Sequence, residues 1–200
     1  MQKISDDLTL TLSEYIYRKN IIMEDIEQLK YPIGKFQAPL QFNAEAITSA
    51  INYLSTYPQL VKDTVKDLTA EQLATPYRPG GWTVKQLLHH IPDSHANAYI
   101  RFKLALTEDT PTIKPYLEAK WAELNDSKVT DINVSLNLLD AVHQRWMNVM
   151  KGMSNDDFGR KFFHPEQQKE MTLWSALALY HWHGMHHHAH IANLIKRNNW

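Results

Sequence analysis

Six of the eleven histidines fall between Tyr180 and His190, in the run YHWHGMHHHAH. Imidazole is a common metal ligand and titrates near neutral pH, so this density points first to metal binding or proton transfer. The run is broken by Trp182, Gly184, Met185 and Ala189 and continues into Ile191–Lys196, which marks it as native sequence rather than a tag. Leu173, Leu177, Tyr180, Gly184, Ile191 and Ile195 recur at steps of three and four, the period of one helix face. On a helix, residues four apart stack one turn above the other, so an HxxxH pair can aim two imidazoles at one ion. Two pairs exist, His183 with His187 and His186 with His190. Projected on the helix, His183 and His187 border the apolar stripe, while His186 and His190 fall further toward solvent. The first pair is therefore the better placed to meet a ligand from a neighbouring helix.

A third histidine must come from elsewhere. Thr83 with Gln86 three residues on forms a capping box, Trp82 against Leu87 can form a hydrophobic staple, and the spacing predicts a helix from there to about Leu106. Its apolar face holds Val84, Leu88, Ile91, Ala98 and Phe102, and His95 lies within it, as a buried, hydrogen-bonded core histidine would. His90, Ser94, Asn97 and Arg101 form a polar line beside that face, which makes His90 the third candidate ligand. His89, about 100° round from His90, reads as surface. Pro92 weakens the projection beyond it, because a proline can kink a helix.

Further helices must position these residues. One begins at Asn43, a suitable N-cap, with Ile47, Ile51, Leu54, Val61, Val65 and Leu68 on one face, and Pro58 is expected to kink or divide it. Thr75–Trp82 is a proline- and glycine-rich loop. A short helix follows over Leu117–Leu124, then a polar linker over residues 125–132. A third long helix is expected from Asn133 to Lys151, with Leu138, Val142, Trp146, Val149 and Met153 on its apolar face and Arg145 at that face's edge. Phe158–Met171 reads as loop or short hairpin, and Thr172 caps the final helix. Leu8, Leu10, Leu12, Tyr15, Ile16, Ile21 and Ile22 give residues 1–30 some apolar character with neither helical nor strand spacing, so this segment reads as a peripheral extension. Four long amphipathic helices imply an all-α four-helix bundle, a fold that builds metal sites from inward-facing side chains.

Composition narrows the function. Two hundred residues with 44% apolar and 22% charged content suit one soluble domain with a full core. A net charge of −1 with dispersed Lys and Arg disfavours nucleic-acid binding. No cysteine is present, which excludes disulfides and thiolate ligands and leaves imidazole and carboxylate to bind a metal. No membrane span or signal peptide is recognisable, so a cytoplasmic location is expected.

The strings YPIGKF (31–36), TPYRPGGWTVKQLLHHIPDSHANAYIRFKLALTE (75–108), IKPYLEAKWAEL (113–124), HQRW (143–146), FHP (163–165) and LYHWHGMHHHAHI (179–191) closely resemble the YfiT-like branch of the DinB superfamily. The resemblance covers about residues 31–197, so the DinB-like domain is drawn over 31–200 with 1–30 as an addition. It implies a homodimeric four-helix bundle that binds one zinc or nickel ion per chain through His90, His183 and His187. Met185 stands where relatives often carry histidine, and Pro92 where they carry a small helix former. The resemblance also implies a metal-dependent hydrolase, or an enzyme that transfers a low-molecular-weight thiol such as bacillithiol.

Three neutral imidazoles leave a dication's charge intact and coordination positions open, as in catalytic rather than structural zinc sites. Asp93, Arg101 and Arg145 are the candidate catalytic or substrate-holding residues beside the metal. Asp93 projects away from the core stripe, so no general base is evident. That tilts the expectation toward an external thiol as nucleophile acting on a small-molecule substrate. A stress-related metal-binding or interaction protein without turnover is the alternative.

Overall fold

The computed structural model describes residues 26–200; the apolar positions from Leu8 to Ile22 lie outside that range. The elements are α1 (Ala44–Val65), α2 (Ala70–Leu73), α3 (Val84–Thr107), α4 (Glu118–Trp121), α5 (Asn125–Val129), α6 (Ile132–Lys151), α7 (Asn155–Phe158), β1 (Lys161–His164), β2 (Lys169–Thr172) and α8 (Leu173–Asn198). The strands form one antiparallel hairpin with Phe162 opposite Met171. Among the described residues no helix is long and apolar enough to cross a membrane.

The long helices begin where their caps dictate. Asn43, Asp131 and Thr172 each accept a hydrogen bond from a backbone N–H of the first turn of α1, α6 and α8, and Thr83 with Gln86 closes a full capping box on α3. Each such cap contributes about 1 kcal/mol.

Helices α1, α6, α3 and α8 pack in that cyclic order, each against two neighbours. Side-chain pairs give their directions. His89 meets Ser135, His95 meets His143 and Phe102 meets Trp146, so α3 and α6 run parallel. Tyr53 meets His181 and Thr64 meets His188, so α1 and α8 also run parallel. Parallel neighbours cannot be joined by a tight turn. Residues 108–131 must travel back along the bundle between α3 and α6, and this connection carries Tyr116 and Glu118 over the cleft described below.

The core has two apolar halves. Leu54, Ala98, Phe102, Trp146, Leu173 and Leu177 belong to one, and Tyr57, Val61, Leu88, Ile91, Leu139 and Ile191 to the other. Between them, on adjoining turns, lie His95, His143 and His183. Burying polar rings in a core is costly unless they are hydrogen-bonded, and these are.

Several expectations need correction. Helix α1 is not divided at Pro58, which is packed inside the bundle, and α3 runs through Pro92 as expected. In α6 the buried face is Ser135, Leu136, Leu139, His143, Trp146, Met147 and Met150, whereas Leu138 is 45% exposed. The true stripe contains serine and histidine, which an apolar count assigns to solvent. Part of the expected linker after residue 124 is the short helix α5.

Candidate metal centre

His90 lies two turns into α3, and His183 and His187 lie on successive turns of the antiparallel neighbour α8. The start of α3 is tied to the long connection by Gln86, whose Nε2 donates to the Ala122 carbonyl and to Glu123. Helix α8 approaches α1 closely at Gly184, where an added Cβ would stand 3.3 Å from the Tyr57 ring and 3.4 Å from Tyr53. A Cβ there would require the Tyr57 ring to give by a few tenths of an ångström.

The Nε2 atoms of His90 and His187 lie 3.3 and 3.1 Å from Nε2 of His183. All three ligand atoms fall within 4.8 Å of one another. Two imidazole nitrogens, each about 2.0–2.1 Å from a tetrahedral zinc, stand about 3.3 Å apart, so the spacing fits a shared cation. Burial drives the rings toward the neutral, ligating form. It pushes His90 down to about 4. His183 and His187 are held well below the usual range by burial first, and then by the neighbouring imidazoles. Ser94 Oγ lies 3.4 Å from His183 Nε2, and Trp82 packs on the His90 ring with centroids 4.8 Å apart.

A second cluster, His186, His187 and His190, has similar spacing, with 3.1 Å between the Nε2 atoms of His186 and His190. Both rings are buried, contrary to the solvent-facing projection. Distant residues add to the cover of Trp182, one turn before His186: Tyr31 also packs on His186, and Tyr77 covers His190 at 4.2 Å. Arg78 adds to burial in depressing both, and Arg197 further depresses His190. Those positive charges oppose a cation there, so the electrostatics favour the first cluster.

Two cavities meet at His183. A recess of about 180 Å³ is lined by Ser94, Arg101, Tyr116, Glu118, His164 and Tyr180 as well as His183. A more open cleft of about 380 Å³ is lined by Arg78, Trp82, Trp182, His186 and again Glu118 and His183. In the recess, Arg101 Nη1 donates to Tyr180 Oη at 3.0 Å. Arg101 Nε, the Tyr116 hydroxyl and His164 Nδ1 are buried without a partner among the described residues. Unpaired buried polar groups are expensive, and three around one cavity mark a place for polar ligand atoms. Burial raises the Glu118 carboxyl, with Arg101 pulling the other way.

Of the three candidate catalytic residues, the structure brings only Arg101 to this cavity. Asp93 lines neither cavity; burial, aided by Asp126, raises it to about 6. Arg145 is exposed and lies over the Tyr99 ring at 5.4 Å. His89 is buried, not on the surface, because Ser135 of the parallel helix α6 lies 2.7 Å from its Nδ1. Tyr116, Glu118 and His164 are not recognisable as site residues in the sequence, since they sit in a connection and a hairpin that only the tertiary fold brings over the histidines.

The DinB superfamily model matches residues 53–191. A Bacillus cereus protein named "putative metal-dependent hydrolase" is 50% identical over 175 residues, covering 88% of this chain and all of that protein. A Bacillus thuringiensis protein of the same name is equally similar over the same coverage. The solved structure of YfiT from Bacillus subtilis, described as a probable metal-dependent hydrolase with an unusual four-helix bundle topology, superposes with a TM-score of 0.84 at 46% identity. It covers 86% of this chain and 99% of YfiT. A bundle with two parallel neighbour pairs and its histidines on α3 and α8 thus has close relatives in sequence and structure, and the chain belongs to the DinB superfamily.

Proposed function

We propose that the chain is a metal-dependent hydrolase that holds one divalent cation, zinc or nickel, on His90, His183 and His187 and acts on a small polar substrate in the recess beside it. The observation that carries this reading is the convergence of three neutral ring nitrogens at the wall of the open cleft, with His183 also lining the recess that holds the unpaired polar groups. A cation on three imidazoles keeps its full charge and supplies Lewis acidity and acidification of what it coordinates. Arg101 Nε and the Tyr116 hydroxyl are free to donate to substrate oxygen atoms. Glu118, the carboxylate shared by recess and cleft, is placed to accept a proton from a nucleophile at the metal.

Glu118→Gln should therefore lower the hydrolysis rate by about 10²–10⁴-fold. Metal content should stay unchanged. Ester and amide panels assayed with metal-loaded protein provide the test, and full activity in the variant would remove Glu118 from the reaction.

Transfer of an external small thiol is a second reading, supported by the two cavities that meet at His183, which could seat two co-substrates. Thiol-dependent conjugation to an electrophile that survives Glu118→Gln would select it, because an ionised thiol needs no base. A homodimer is also proposed, and light scattering should give twice the mass of one chain; a stable monomer at micromolar concentration would refute it.

A further inference from the structure

His143 is 1% exposed, and its Nδ1 lies 2.7 Å from the carbonyl oxygen of Leu54. A carbonyl can only accept, so Nδ1 carries the hydrogen, and in the neutral ring Nε2 is bare. His95, wholly buried, places its Nδ1 2.7 Å from that bare Nε2. His95 must donate there, which leaves its own Nε2 bare and facing His183 Nδ1 at 3.2 Å. His183 must in turn donate from Nδ1. Its Nε2, the atom that converges with His90 and His187, is then left with a free lone pair.

The Leu54 carbonyl is available for a reason visible in the sequence. In a helix it would accept from the N–H four residues on, but that residue is Pro58, which has none. An orphaned carbonyl in a core is costly, and His143 satisfies it.

We propose that His95 and His143 are positioning residues: a one-way chain of hydrogen bonds, anchored on the carbonyl that Pro58 leaves free, locks His183 in its Nδ1–H tautomer with Nε2 ready for the cation. Free histidine in water prefers the opposite tautomer, so without the chain part of the binding free energy would go into shifting the hydrogen. The same partners fix the ring's orientation, the general role of groups behind a metal-bound histidine. His90 and His187 have no such support on the opposite nitrogen among the described residues; Nδ1 of His187 is buried and unpartnered there. His183 is thus the preset ligand of the three.

The proposal rests on reading His183 as a metal ligand, but its first test needs no metal. Nitrogen-15 NMR of the metal-free protein should show His143, His95 and His183 all as Nδ1–H tautomers. An Nε2–H signal for His183 would overturn the chain. The second test is zinc affinity by competition titration. In His143→Leu, His95 loses its acceptor and is free to turn its hydrogen toward His183, so affinity should fall by about 10- to 100-fold. His143→Gln, whose side-chain oxygen can occupy the position of Nε2 and accept, should stay within a few-fold of the parent. A folded His143→Leu protein that binds zinc as tightly as the parent would overturn the proposal. If His143→Leu does not fold, the parent's tautomers decide. If the parent binds no zinc, the metal reading fails while the spectrum still tests the chain.

Discussion

His183→Ala should weaken zinc or nickel binding about 100-fold, and lower activity with it, whereas His186→Ala should leave both largely intact. Four-ligand structural zinc sites bind with about 10–16 kcal/mol, so one ligand accounts for roughly 3 kcal/mol, or about two orders of magnitude in affinity. His183 is central, since both short separations in the first cluster run to its Nε2. His90→Ala should behave alike. His187 belongs to both histidine clusters and cannot discriminate between them. His183 against His186 can. Calorimetric titration of metal into each variant gives the answer, and the opposite ranking would move the cation to the cluster beside Arg78.

The contrast between these two histidines shows what local sequence carries. Helical period places His90, His183 and His187 at the edges of apolar stripes, and the fold brings their Nε2 atoms together, because an edge position on a bundle helix faces the groove between neighbours. His186 and His190 project away from the apolar stripe of their own helix. They are nevertheless buried, in part because residues 31–36 and the loop around Tyr77 fold over them, contacts made across about 150 and 110 residues of chain, which no periodicity reports. The register of α6 fails for a related reason. Its core face is written partly in Ser135 and His143, whose burial depends on partners in α3 and α1. Pro58 signals a break to any local reading; only the position of His143 shows that the missing N–H frees an acceptor.

Long-range placement also decides which carboxylate can take part in the chemistry. On helix α3 alone, the carboxylate nearest the histidines is Asp93, facing away, and a site without a base favours a nucleophile that ionises by itself. The parallel arrangement of α3 and α6 sends residues 108–131 back over the cleft and supplies Glu118 instead. A carboxylate between the two cavities restores the requirement for hydrolysis that the helix lacks.

Acid should unfold the metal-free protein well above the pH at which exposed carboxylates titrate. Burial lowers His90 and His143 from 6.5 to about 4, and lowers His95, His183 and His187 in the same direction. Between pH 6.5 and 4 the unfolded chain therefore binds protons that the folded chain refuses, and stability falls as pH falls. By pH 4, His90 and His143 alone remove about 3 kcal/mol each, because a tenfold change in a proton-binding constant is worth about 1.4 kcal/mol. Asp93, raised to about 6, works in the other direction and offsets roughly one histidine, less whatever its partial exposure screens. Glu118, also raised by burial, adds to that offset, but the histidines lowered by burial outnumber these two carboxyls. Against the roughly 5–15 kcal/mol of stability typical of a domain, the loss is enough to place the unfolding midpoint between about pH 4 and 6. Zinc binds only the folded site with neutral rings, so saturating metal should shift that midpoint to lower pH. Circular dichroism during acid titration, with and without zinc, measures both. A metal-free protein that stays folded at pH 4 would mean that the histidine layer accepts protons without cost, and the tight, neutral packing of His95 and His143 between the two halves of the core would have to be wrong.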